Sequence, residues 1–137
     1  MILLNDLSIK NFLSHFETNM KFKKDIKVLI NGSSGSGKTT ICEAILFALY
    51  GRARVDNRNL VRKGAKSATV SLKLVDGDKQ YLITRSVSNK GKNELAVTQS
   101  IAGALFVHIE RTGLKDIQDW IENVLLHASY KLFINSV

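Results

Sequence analysis

The chain has 137 residues, 45% hydrophobic and 23% charged, enough for one domain with its own core and too apolar for a disordered segment. No run approaches the ~18 consecutive apolar residues of a membrane helix, and no basic n-region precedes the N-terminal strand pattern, so neither a membrane protein nor a secretory leader is expected. The formal net charge of +8 suits a nucleotide or nucleic-acid partner without bearing on the fold.

Ile2 to Ile9 alternates in the strand manner, with Leu3, Leu7 and Ile9 as apolar anchors. Asn11-Phe12-Leu13-Ser14-His15 interrupts it, and Phe16 to Phe22 resumes as a second strand. Lys23-Lys24-Asp25 then turns the chain into a central apolar strand, Ile26 to Ile30.

The next stretch organises everything else. Gly32, Ser33, Ser34, Gly35, Ser36, Gly37, Lys38 and Thr39, followed by Thr40, spell G-x-x-x-x-G-K-[ST], the phosphate-binding loop of nucleoside triphosphatases. Its glycines let the backbone approach an anion without a Cβ in the way, so consecutive N–H groups can form a nest for phosphate oxygens. Lys38 adds a point charge at the β- and γ-phosphates, and the Thr39 hydroxyl is placed to hold Mg²⁺. An apolar strand before the loop and a helix after it, Lys38 to Tyr50 with Gly51 as its stop, supply the context this motif needs. The helix is apolar almost all round, with Glu43 its only charge after Lys38, so it is expected in the core. Cys42, the only cysteine, lies within it and reads as a buried thiol. One cysteine and no leader point to a reducing, cytoplasmic setting, the nucleoid or the cytosol of a viral host included.

Residues 52–66 are basic. Arg52, Arg54, Arg58, Arg62, Lys63 and Lys66 are opposed only by Asp56. This stretch reads either as a solvated loop face or as a phosphate-contacting patch for DNA. An antiparallel meander follows. Ser67 to Val75 places Ala68, Val70, Leu72 and Leu74 on one face, Asp76-Gly77-Asp78 signals a hairpin, and Lys79 to Val87 returns with Tyr81, Ile83 and Val87 on one face. A third strand is expected over Glu94 to Ile101 and a fourth over Leu105 to Glu110. Thr112-Gly113 opens a helix from Leu114 to about Leu126 whose buried stripe is Ile117, Trp120, Ile121, Val124 and Leu125. Ser129 caps a last short helix, Tyr130 to Asn135. No internal repeat, low-complexity tract or sustained heptad is present.

Hydrolysis needs an apolar strand ending in a carboxylate for the metal, and a base. Ala104 to Glu110 is the only candidate, and His108 interrupts it, so it reads as an ordinary strand. No catalytic residue is assigned within the chain, which is expected to bind nucleotide and to hydrolyse it poorly alone.

The order of strand, Asn11-Phe-x-Ser-His15, strand, Ile-Asn-Gly-Ser-Ser-Gly-Ser-Gly-Lys-Thr-Thr, Glu43-Ala44-Ile45 and Leu49-Tyr50-Gly51 resembles the N-terminal half of an ABC-type ATPase head. The family is that of SbcC-like DNA double-strand-break repair proteins, cousins of the structural maintenance of chromosomes proteins. The Tyr-Leu-Ile-Thr-Arg85 strand and the ending, Tyr130 to Val137, are similar to the family's pattern up to its Q-loop. The resemblance implies an α/β P-loop NTPase fold with an antiparallel β subdomain, formed as one lobe. Residues 1–51 would carry the strands, loop and helix, 52–66 the basic connection, 67–111 the meander and 112–137 the helices before the Q-loop. It further implies ATP and Mg²⁺ as cofactors, with Asn11, Ser14 and His15 near the nucleotide. The implied partners are the protein's own C-terminal lobe, a second head in an ATP-dependent dimer, a nuclease subunit and DNA. The second lobe would bring the signature motif, the Walker B acids and the catalytic glutamate. Two positions depart from the pattern: Leu13 stands where a basic residue is common, and Ser34 where many repair ATPases carry Asn. Ser34 is more like ABC transporter domains, so a transporter-type nucleotide-binding domain is one alternative and a small P-loop kinase another. Copurification with a permease would favour the first, and phosphoryl transfer to a small acceptor the second.

Overall fold

The computed structural model describes residues 2–25, 36–51 and 57–127. The expected strand Ile26 to Ile30, the loop residues Gly32, Ser33, Ser34 and Gly35, the basic residues Arg52 and Arg54, and the helix from Tyr130 lie outside these. Among the described residues, six strands form one antiparallel sheet: β1 (Leu3–Phe12), β2 (His15–Asp25), β3 (Ser67–Asp76), β4 (Lys79–Ser88), β5 (Asn93–Ile101) and β6 (Val107–His108). Their order is β2-β1-β3-β4-β5-β6. The N-terminal hairpin and the later meander are therefore one layer, joined where Leu7 faces Leu72 and Ile9 faces Val70. Helix α1 (Ser36–Tyr50) covers one face of this sheet. Helix α2 (Leu114–Trp120) continues into a π-helical turn, Ile121–Leu125.

The core lies between α1 and the sheet. Ala44 to Leu49 are fully buried, Cys42 and Glu43 are buried with them, and Leu4, Leu7, Ile9, Phe12, Val70, Leu72, Leu74 and Ile83 form the facing surface. The all-round apolar character of α1 is thus explained by burial on every side past its second turn. Phe47 packs on Phe12 with ring centroids 5.8 Å apart, within the range of favourable aromatic pairs. The outer face of the sheet is polar, as the period-2 pattern dictates, with Ser71 and Thr84 hydrogen-bonded across β3 and β4 at 3.3 Å. Asp76, Gly77, Asp78 and Lys79 close the β3–β4 hairpin where the sequence places it, and Gly77 takes φ +62.

Four details differ from the sequence reading. Leu4, not Leu3, is the first core residue of β1, because a bulge between Leu4 and Asp6 shifts the alternation by one. Lys23, Lys24 and Asp25 do not turn the chain but extend β2, with Lys24 opposite Leu4 and Asp25 opposite Leu3. The strand expected over Leu105 to Glu110 shrinks to Val107–His108. Ala102 and Gly103, at φ +54 and +77, spend the chain on a turn in which the Ser100 hydroxyl donates to the Ala104 carbonyl. Pairing resumes only at Gln99 with Val107 and Thr98 with His108, and Glu110 is exposed beyond it.

Val124 is the fourth correction. It is exposed, while Ile121 and Leu125 are buried. The helix widens after Trp120, with the Leu126 N–H donating to the Ile121 carbonyl at 2.8 Å in an i→i+5 bond. That wider turn keeps Leu125 beneath Ile121 and rotates Val124 to solvent. Trp120 packs against Tyr81 at 5.7 Å, on the edge of the core.

Candidate functional site

Ser36, Gly37, Lys38 and Thr39 form the first turn of α1, and the half-buried Thr40 follows. The helix has no acidic residue in that turn. Its N-terminal N–H groups and positive dipole end are therefore not neutralised by a carboxylate of its own, which suits an incoming anion. The residue types present fit a phosphate-bearing ligand, with Lys38 suited to its phosphates and Thr39 to its metal.

The Asn11–His15 segment is the tip of the β1–β2 hairpin. Phe12 pairs with His15, leaving Leu13 and Ser14 as a two-residue turn. Asn11 and Leu13 take φ +52 and +53, uncommon for residues with a side chain and more so for Leu than for Asn. What holds them there is the segment after the short 3₁₀ turn Asn57–Leu60. The Leu13 N–H donates to the Leu60 carbonyl at 2.6 Å, the Arg62 N–H donates to the Asn11 carbonyl at 2.7 Å, and Phe12 bridges to Val61. Leu13 packs on the core, which explains an apolar side chain at this position. His15 Nδ1 meets Thr18 Oγ1 at 2.8 Å, so its ring is oriented by its own strand, and Ser14 is exposed.

This pairing brings two sets of residues from separate parts of the chain together. Asn11, Ser14 and His15 share one corner with Arg62 and Lys63, both exposed. The Arg62 guanidinium lies 5.3 Å from the ring centroid of the exposed Phe16, a cation–π contact. Lys66 is exposed at the start of β3, where its carbonyl accepts from the Asn89 N–H at 2.8 Å. Arg58 falls within the 3₁₀ turn.

The far end of α1 holds a group that the sequence pattern does not mark as functional. Arg85 is 1% exposed and lies on the apolar face of β4 between Ile83 and Val87. Burial pushes its guanidinium down to about 10, against the pull of Glu122, so it remains charged at neutral pH. Its Nε donates to the Ala48 carbonyl at 3.1 Å and its Nη2 to Gln118 Oε1. Gln118 Nε2 in turn donates to the Leu49 carbonyl at 2.9 Å and to Glu122 Oε2 at 3.0 Å. The Gly51 N–H donates to the Phe47 carbonyl at 2.7 Å, and Asn93 Nδ2 to the Gly51 carbonyl at 3.3 Å. Helix carbonyls without partners in their own helix are thereby satisfied. α1 has no basic residue in its last turn, and Arg85 brings a cation to its negative dipole end from another element. A lone arginine at an inward parity is the one signal of this in the sequence. Burial, and then Glu122, also push the neighbouring Tyr50 phenol upward.

Similarity to known proteins decides the family. A family model described as "AAA domain" matches residues 6–135. The chain belongs to the AAA domain family. Within it, the chain is 32% identical over 138 residues to the DNA double-strand break repair Rad50 ATPase of Thermoplasma acidophilum, an alignment covering 99% of this chain and 15% of that protein. It is 38% identical over 100 residues to the Sulfolobus acidocaldarius Rad50 ATPase, covering 70% of this chain and 11% of that protein. The chain therefore spans a small part of the relatives it matches. Among solved structures it is similar to the recombination mediator protein RecF, with a TM-score of 0.58 at 18% identity over 70% of this chain and 26% of that one. At that identity the likeness concerns the fold, which is the expected P-loop NTPase fold with an antiparallel sheet. Among the described residues no three His, Cys, Asp or Glu side chains group as a metal site, and no helix is long and apolar enough to cross a membrane.

Proposed function

We propose that this AAA-domain chain is the N-terminal, ATP-binding lobe of a Rad50- and SbcC-like ATPase that acts on DNA ends together with a nuclease. The observation that carries this reading is the Gly32–Thr39 motif running into the first turn of a helix that is buried against the sheet and free of acidic residues at its start. Gly32 to Gly37 would cradle the phosphates through backbone N–H groups, Lys38 would pair with the β- and γ-phosphates, and Thr39 would hold Mg²⁺. The bound Mg²⁺ would supply neutralisation of phosphate charge. Asn11, Ser14 and His15, fixed at the hairpin tip, would lie near the nucleotide, as the family resemblance implies. The resemblance to Rad50 ATPases over nearly all of the chain supports the whole of 1–137 as one lobe.

No residue here is assigned as general base or Walker B acid, so turnover would require the complementary lobe and a second head. Mixing the chain with the C-terminal lobe of the same protein is therefore expected to give Mg²⁺-dependent ATPase activity well above the sum of the two alone. Activity no higher than that sum would contradict the reading.

The basic stretch would contact DNA phosphates. Arg62 and Lys63 are exposed on the corner beside the hairpin tip and Lys66 is exposed just before β3, which supports this role. Binding should weaken linearly in log–log form with salt, and removing two phosphate contacts should lower that slope by roughly 2. Charge reversal at Arg58 and Arg62 is the variant to measure. An unchanged affinity and slope would remove DNA contact from this stretch.

A further inference from the structure

The junction at the C-terminal end of α1 joins three elements through polar groups far apart in sequence. Arg85 comes from β4, Gln118 from α2, and the Ala48 and Leu49 carbonyls from the last turn of α1. A buried guanidinium is an expensive group to place in a core, because desolvation opposes it and only well-made hydrogen bonds offset that penalty. An apolar side chain would fill the same volume more simply, so the arrangement calls for something that packing alone does not need. The geometry supplies one answer. Two adjacent carbonyls of α1 are gripped by two side chains that also grip each other, so sliding or rotation of α1 along its axis breaks bonds to both β4 and α2 at once.

We infer that the Arg85–Gln118 bridge is a positioning device for the nucleotide site, registering α1, and with it Lys38 and Thr39, against the sheet and α2. The inference rests on the nucleotide-binding reading above and extends it to residues that would never touch the nucleotide. Arg85 and Gln118 are positioning residues acting through a rigid helix: α1 runs unbroken from Ser36 to Tyr50, so a shift imposed at its last turn is carried to its first. The same bridge gives α2 a handle on the site. Movement of α2 that withdraws Gln118 would free the Leu49 carbonyl and leave Arg85 half-partnered, while movement that seats it would fix α1 in place. Glu122, which also accepts from Gln118, ties the following π-helical turn to the same unit, and such turns recur at functional positions in helices.

The test uses Gln118, which is half-buried and removable without emptying the core. Gln118→Leu keeps the volume and deletes its hydrogen bonds to Arg85, to the Leu49 carbonyl and to Glu122. Val97→Ala, a core truncation on β5 that removes none of the bridge's hydrogen bonds, serves as a control for general loosening. Mg²⁺-ATP affinity and thermal midpoint are measured for all three chains. The inference predicts at least about a fivefold loss of affinity in Gln118→Leu, with Val97→Ala binding as the wild type does even where its midpoint falls as far. Wild-type affinity in Gln118→Leu overturns the positioning role. An equal loss in Val97→Ala overturns it too, since loosening anywhere would then suffice. Absence of binding by the wild-type chain overturns the nucleotide reading itself, and the two failures are thereby distinguished.

Discussion

Gly51→Ala is expected to destabilise the fold by about 2–6 kcal/mol, the sum of left-handed backbone strain and one disrupted buried polar contact. The added methyl is small, and its surroundings decide the outcome. Gly51 takes φ +75, and a Cβ there would lie 2.7 Å from Arg85 Nη1 and 3.3 Å from its Cζ. The tip of an arginine ordinarily yields to such a contact. This one is 1% exposed and held by the Ala48 carbonyl and Gln118, so it can move only by giving up partners in a place water does not reach. Gly77→Ala is the internal control. Gly77 has φ +62, and a methyl added there would meet nothing within 4 Å, so it should show the backbone strain alone, about 1–3 kcal/mol. Chemical denaturation of the two variants beside the wild type reads the difference directly. Equal losses would mean that the guanidinium is not fixed as described.

Much of this architecture is legible from residue pattern alone. α1 announces itself through an apolar run bounded by the phosphate-loop motif and Gly51, β3 and β4 through alternation punctuated by Asp-Gly-Asp, and β5 through its place after a second glycine-bearing turn. The failures have local physical causes. Leu3 and Leu4 are equally apolar, and only the bulge before Asp6 decides which of them faces the core. Leu105 and Phe106 look like strand residues, but Ala102 and Gly103 turn the chain before pairing can resume. Val124 sits at regular helical spacing, and only a widened turn moves it outward.

The candidate site divides in the same way. The phosphate-loop motif is contiguous, so one stretch of sequence displays its chemistry. The corner formed by Asn11 and Arg62, and the junction formed by Ala48, Arg85 and Gln118, depend on contacts between residues tens of positions apart. No local pattern encodes them. Arg85 is visible as part of a strand resembling a family pattern, yet its partners are not, because they lie on a helix terminus and on a separate helix.

The second large effect is expected at Lys38, on which a phosphate site at this helix depends. Lys38 stands in the first turn of α1, where a charged donor to phosphate is worth about 1.5–3 kcal/mol, or roughly 10- to 150-fold in affinity. Mg²⁺-ATP binding and turnover by the purified chain, measured beside Lys38→Ala, test it most directly. Binding by the wild type, a loss of that size in Lys38→Ala, and little turnover from either are expected. Equal binding by both chains would contradict a phosphate site at this helix. Robust Lys38-dependent turnover by the chain alone would contradict the need for a second lobe and return attention to Glu110.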